Sequence, residues 1–203
     1  MKRLRFSVVA GTMLALAGMT LGLSLGVKRS EAAPIGLSQA DLDVIVAQAV
    51  AKAGVTNSAF RTSPTVQTTK MQIAIVGRDG KLLRLFSMSD AWVGSIDIAI
   101  AKGRTAAFFS SNQNALTSRI IGQASQPGGA LWGIGNSNQI GISGSQEFRN
   151  GIITFPGGVP LYKDGALVGG IGVSGDGVDQ DEEVAFAGAI GFAPGAGVAT
   201  LGF

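Results

Sequence analysis

From Ser38 onward, apolar residues recur every three or four positions at Leu42, Ile45, Val46, Ala49, Val50 and Ala53, the spacing of one helix face. Ser38 with Asp41 three residues on has the form of a capping box, and Gly54 is a natural stop, so a first helix is expected between them. The pattern then changes period. "MQIAIVG" and "LLRLFSM" are strand-like runs on either side of "RDGK", and Asp79-Gly80 is a strong hairpin turn. Both alternate sets of the first run are apolar, which predicts a sheet covered on both faces.

A second helix is expected from about Ser95 to Phe109. Ile96, Ile100, Gly103 and Ala107 form its apolar line, widened by Ala99 and Ala106. A short helix around Ala115 to Ile121 follows. The stretch from Gly122 to Asn150 is rich in Gly, Ser, Asn and Gln, and is long for a connection inside a compact domain. Two more strands, joined by a turn at Lys163 to Gly165, lead to a final helix over "DEEVAFAGAIGF". Tight Asp-Gly turns favour antiparallel pairing, which gives an α+β domain and not a doubly wound one.

The N-terminus has a different character. Lys2, Arg3 and Arg5 precede an uncharged run from Phe6 to Val27, with small residues Ser30 and Ala32 just beyond. Residues 1–32 are expected to be a signal peptide or an N-terminal membrane anchor, with residues 33–203 as the domain. Either form places the domain outside the cytoplasm, periplasmic or secreted, and reaches a membrane only if the segment stays uncleaved. The formal charge of +3 belongs to this segment: from Ala33 onward there are eleven basic and twelve acidic residues, and no nucleic-acid surface is expected. Without cysteine, the domain must be stable on packing or assembly alone.

The candidate chemistry is sparse. The absence of histidine and cysteine excludes Ser-His-Asp and Cys-His nucleophiles and His-based zinc sites, and no protein metal site is expected. Gly170-x-Gly172-x-x-Gly175 has dinucleotide-fingerprint spacing, but the antiparallel context and the acids Asp179, Asp181, Glu182 and Glu183 oppose a phosphate there. Those acids read instead as a cap, with Asp179 at the N-cap and Glu182 as its capping-box partner. Lys102 and Arg104, with Asp97, read either as contacts for a carboxylate or as a solvated, ion-paired helix face. Trp92 and Trp132 read as pocket walls or as core and interface residues.

Together, "IAIVGRDGKLLRLFSMSDAWVGSIDIAIAKGRTAAFF", "LTSRI" and "PGGVPLYKDGALVGGIGVSGDGVDQDEEVAFAG" resemble the GlcG/HbpS-like haem-binding family over roughly Ser38 to Ile190. The resemblance implies a profilin-like three-layer α/β/α domain with a central antiparallel sheet, assembly into a homo-oligomer, and haem or another tetrapyrrole or small molecule as ligand. It also favours a non-enzymatic binding role as carrier, scavenger or sensor partner. The alternatives are a haem-degrading or small-metabolite enzyme of the same fold, or a ligand-free structural or partner-binding oligomer. On this reading Lys102 and Arg104 meet propionates. With no histidine, iron ligation falls to residues such as Met88, Tyr162 or the hydroxyl of Thr105.

Overall fold

The computed structural model describes residues 36–134 and 150–202. The expected signal or anchor over residues 1–32 lies outside them, as does residues 135–149 of the Gly/Asn-rich connection. Among the described residues no helix is long and apolar enough to cross a membrane.

Helix α1, Gln39–Ala53, begins as its sequence dictates: the Ser38 hydroxyl accepts from the Asp41 N–H, and the Asp41 carboxylate accepts from the Ser38 N–H. Gly54 caps its far end. Strands β1, Gln72–Gly77, and β2, Leu82–Ser87, form the expected hairpin, with Gly80 at φ 80° in the turn. A 3-10 turn, Val93–Ser95, runs into α2, Ile96–Phe109. Next come β3, Asn114–Leu116, and α3, Ser118–Ala124; the short helix begins later than expected because Thr117 caps it through the Ile120 N–H. Strands β4, Gly158–Lys163, and β5, Ala166–Ser174, make a second hairpin. Its turn places Asp164 and Gly165 at φ 51° and 78°, the left-handed pair that a tight two-residue connection needs. Helix α4, Val178–Gly188, follows, and β6, Ala199–Leu201, pairs in parallel with β3.

The main sheet has the order β2-β1-β5-β4 with every neighbour antiparallel. The architecture is therefore α+β, with an antiparallel sheet and a small parallel pair that the sequence pattern did not predict. Ile73 and Ile75 of β1 and Ile171 and Val173 of β5 pack with α1 and α4, including Ile45, Ala49, Val184 and Ala185. Ala74 and Val76, on the other face of β1, pack with Ala99, Ile100 and Ala107 of α2. This is why both residue sets of β1 had to be apolar: the strand is buried throughout.

Helix α2 lies directly on the backbone of β5. A Cβ on Gly172 would overlap the Ala99 carbonyl and the Gly103 amide, and one on Gly170 would overlap the Gly103 carbonyl. Glycine on both elements is what permits this approach.

The final helix departs from expectation at its start. Gly177 is the N-cap, and no side chain closes it. Asp179 and Glu182 do not form a capping box. Both reach across to α3, where the Arg119 guanidinium donates to Asp179 from one terminal nitrogen and to Glu182 from Nε. Asp179 sits one residue inside the helix, where its side chain no longer accepts the first-turn amides.

Candidate functional site

The N-terminal halves of α2 and α4, the end of β5 and three loops converge on an open cleft of about 350 Å³. Phe60, Trp92 and Phe155 form its rim. All three are exposed, Trp92 by 62%, and large apolar side chains grouped around an opening are a common mark of a binding site. Trp92 is held by its backbone: Gln72, buried in β1, donates from Nε2 to the Trp92 carbonyl at 3.2 Å and accepts from the Ser87 hydroxyl. The indole lies against Gly94, where a Cβ would meet its ring carbons. Arg61 stands at the cleft with its guanidinium donating to the Asp90 carboxylate and carbonyl, both at 2.6 Å.

The other wall is built on Asp176. Its carboxylate accepts from the Ser58 hydroxyl at 2.5 Å, the Ala59 N–H at 2.6 Å and the Gly177 N–H at 2.9 Å. The Ser58 oxygen in turn accepts from the Phe60 and Arg61 amides. Asp176 thereby ties the loop carrying Phe60 to the start of α4.

Lys102 and Asp181 also line the cleft, and they are buried to 1% and 2% exposure. The Lys102 ammonium donates to Asp181 Oδ2 at 2.6 Å and to the Val173 carbonyl at 3.0 Å. Asp181 Oδ1 accepts from the Asp176 N–H at 3.1 Å. Burial disfavours charge on both partners. It lowers the Lys102 pKa, and it pushes the Asp181 carboxyl up to about 6 against the opposing pull of Lys102. A buried carboxyl that exchanges its proton near neutrality, in a cleft, is suited to acid–base work.

That shift has a testable sign. The folded value, about 6, lies above the ordinary 3.8, so the folded protein holds this proton more tightly than the unfolded chain. The resulting stability is fully present below about pH 4 and is lost as the pH rises through about 6. Urea unfolding between about pH 4 and 6 should therefore show the wild type losing stability with pH relative to Asp181→Asn. Parallel curves would remove Asp181 as the titrating group.

Of the residues expected to contact haem, Lys102 alone lines this cleft, and it is a buried, paired cation and not part of a solvated helix face. The others are elsewhere. Arg104 donates from Nε to the Gly80 carbonyl, which engages it with the β1–β2 turn. The Thr105 hydroxyl is buried on the Ala101 and Ile153 carbonyls. Met88 packs against the core of α1 and α4, its sulfur accepting from the Met71 N–H. Tyr162 is buried, donating to the Ser111 and Asn114 carbonyls. Trp92 takes the wall role, while Phe60, Arg61 and Phe155 had no site signal in the sequence beyond aromatic or charged character, and Asp181 was read only among the acids at the start of the final helix.

The lining suits one part of a haem and not another. The exposed aromatic rim matches a flat macrocycle, and Arg61 is a cation for a propionate. Among the described lining residues there is no histidine, cysteine, methionine or tyrosine to ligate iron.

Comparison with known proteins bears on these features. A family model described as "Haem degrading protein HbpS-like" matches residues 37–190. The corrinoid adenosyltransferase PduO of Citrobacter freundii is 34% identical over 113 residues, which are 56% of this chain but 29% of that protein. The chain thus spans under a third of that relative's length. Among solved structures, the PduOC:heme complex superposes with a TM-score of 0.58 at 27% identity, covering 79% of this chain and 98% of the other. HbpS itself superposes with a TM-score of 0.56 at 22% identity, covering 81% and 95%, a likeness of fold. The expectation of haem as cofactor agrees with the family description and with the heme complex. The preference for a non-enzymatic binding role is corrected: the matching family is described as haem degrading and the curated relative is a transferase. Lys102 and its carboxyl partner lie 79 positions apart in the sequence, so no spacing there brings them together.

Proposed function

The chain belongs to the HbpS-like family, and from that premise we propose that it is an enzyme acting on a flat, acidic ligand held in the Trp92 cleft. Haem is the first candidate ligand. The observation that carries this reading is the buried Lys102–Asp181 pair at the base of an aromatic-rimmed opening. Bound haem would supply the redox and oxygen chemistry of its iron. The chain's own part is to stack the ring on Trp92 and Phe60, to hold an acidic group at Arg61, and to exchange a proton at the Asp181 carboxyl. Lys102 positions that carboxyl and sets its affinity for the proton.

Hemin added to the full chain should give a saturable Soret change, and with a reductant and oxygen the band should be lost with turnover. Trp92→Ala should weaken binding about tenfold, the scale of one lost aromatic contact. Asp181→Asn should leave binding in place and slow turnover about a hundredfold or more, as expected when an acid–base group is removed. No saturable change, or decay no faster than with denatured protein, would overturn the haem reading.

The cleft volume of about 350 Å³ favours a second reading, a small metabolite as substrate, since it lies near the lower end of ligand sites, about 300–1,000 Å³. The helices on both sheet faces support the profilin-like three-layer description. The basic and apolar N-terminal segment supports a place outside the cytoplasm. Exposed Leu82, Leu83 and Phe86 on the edge strand β2 support a homo-oligomer.

A further inference from the structure

The base of the cleft carries polar groups that the fold itself does not satisfy. Ser95 and Ser174 both line it and are buried to 2% and 5% exposure. Although Ser95 stands at the N-cap of α2, its side chain makes no capping bond. Among the described residues neither hydroxyl has a hydrogen-bond partner, in contrast to Ser58, Ser87 and Ser118, whose hydroxyls are all engaged. Lys102 adds a third group: two of its three N–H donors are taken, by Asp181 and by the Val173 carbonyl. The sealed, unpartnered side-chain oxygen among the described residues is Glu182 Oε1; the two serine hydroxyls instead open into the cleft, where a bound molecule can meet them.

The charge balance decides which molecule. Asp176 is already met by three donors, and Lys102 is matched by Asp181. A carboxylate placed at the base would face two aspartates with one ammonium between them, whereas an uncharged carbonyl or hydroxyl oxygen would gain donors without that repulsion. The other cation in the lining is Arg61, whose partner Asp90 is largely exposed to solvent, so its pair competes less with a ligand acid than the buried Lys102–Asp181 pair does. The side chains thus sort a ligand by end: flat body at the rim, acid toward Arg61, neutral oxygen inward.

We infer that Ser95, Ser174 and Lys102 form a subsite for the keto or hydroxyl oxygen of a flat organic acid. The inference rests on the small-metabolite reading of the same cleft and names its substrate class.

The probes are three aromatic acids of nearly equal shape: phenylpyruvate, phenyllactate and 3-phenylpropanoate, the last lacking the inner oxygen. Calorimetric titration of the full chain should show one of the first two binding about tenfold tighter than 3-phenylpropanoate, the effect of one satisfied buried hydrogen bond or slightly more. Ser95→Ala and Ser174→Ala remove single hydroxyls that make no bond within the fold. In these variants the advantage should fall to about twofold or less, with affinity for 3-phenylpropanoate unchanged. Equal affinity for all three acids, an advantage that survives both substitutions, or no binding by any of them would each overturn the subsite. The haem and Trp92→Ala measurements decide the cleft itself separately. If all three acids bind equally and Trp92→Ala weakens them all, the cleft stands and the subsite falls.

Discussion

Lys102→Met should cost about 3–5 kcal/mol of folding stability at neutral pH, because it removes one partner of a buried ion pair and strands the other. Asp181 keeps the Asp176 N–H but loses its cation, at 2% exposure, with Asp176 close enough to raise its pKa further. The same reasoning predicts a rescue. In Lys102→Met/Asp181→Leu both charges are gone, and the double variant should recover most of the loss, since apolar replacement of a whole buried pair is often neutral or stabilising. Urea unfolding of the two single variants and the double variant forms a cycle whose coupling should be about 2 kcal/mol or more. Additive single effects would show that the two residues do not act as a pair. The double variant should also lose turnover despite its recovered stability, which separates the chemical role from the structural one.

The second large effect is expected from one methyl group. Gly172→Ala should lower stability by about 2–3 kcal/mol, the upper range for overpacking a close-packed contact. The added Cβ meets the Ala99 carbonyl and the Gly103 amide, which are backbone atoms of α2 and cannot turn aside as a flexible side chain could. The helix as a whole must move away from β5. For a chain of this size that loss corresponds to roughly 4–12 °C in Tm. Thermal unfolding would check it, with Gly165→Ala as a contrast: that site is strained by its φ of 78° yet has open space around it. If Gly172→Ala melts with the wild type, the close approach of α2 is not what stabilises this face of the sheet.

Features governed by neighbours in sequence were readable from sequence. The Ser38–Asp41 capping box, the two Asp-Gly turns and the two-faced burial of β1 each depend on residues a few positions apart. Asp179 shows the limit of that approach. Its spacing to Glu182 fits a cap, but Arg119 of α3 draws both carboxylates sideways, and Gly177 takes the cap position. The β3–β6 pair is only three residues on each side and joins distant segments, so neither strand has a pattern of its own. At the site, Lys102 was identifiable as a cation but not as a buried one, because its burial is set by Val173 and Asp181 on elements far along the chain. Met88, Tyr162 and Thr105 have the right atoms for metal ligation, but the fold commits each to packing or to backbone carbonyls.

The bonds of Asp176 also constrain how the cleft can open. One carboxylate grips the segment bearing Phe60 and the first amide of the α4 turn together, so that wall behaves as a single fixed jaw. Trp92 is tethered differently, through its carbonyl, which accepts from Gln72 Nε2 and from the Ser95 N–H, and its indole is free of hydrogen bonds within the described fold. The indole packs on the bare backbone of Gly94, so the two sides of the opening are held in unlike ways, one by a buried carboxylate and the other by main-chain bonds and ring packing alone.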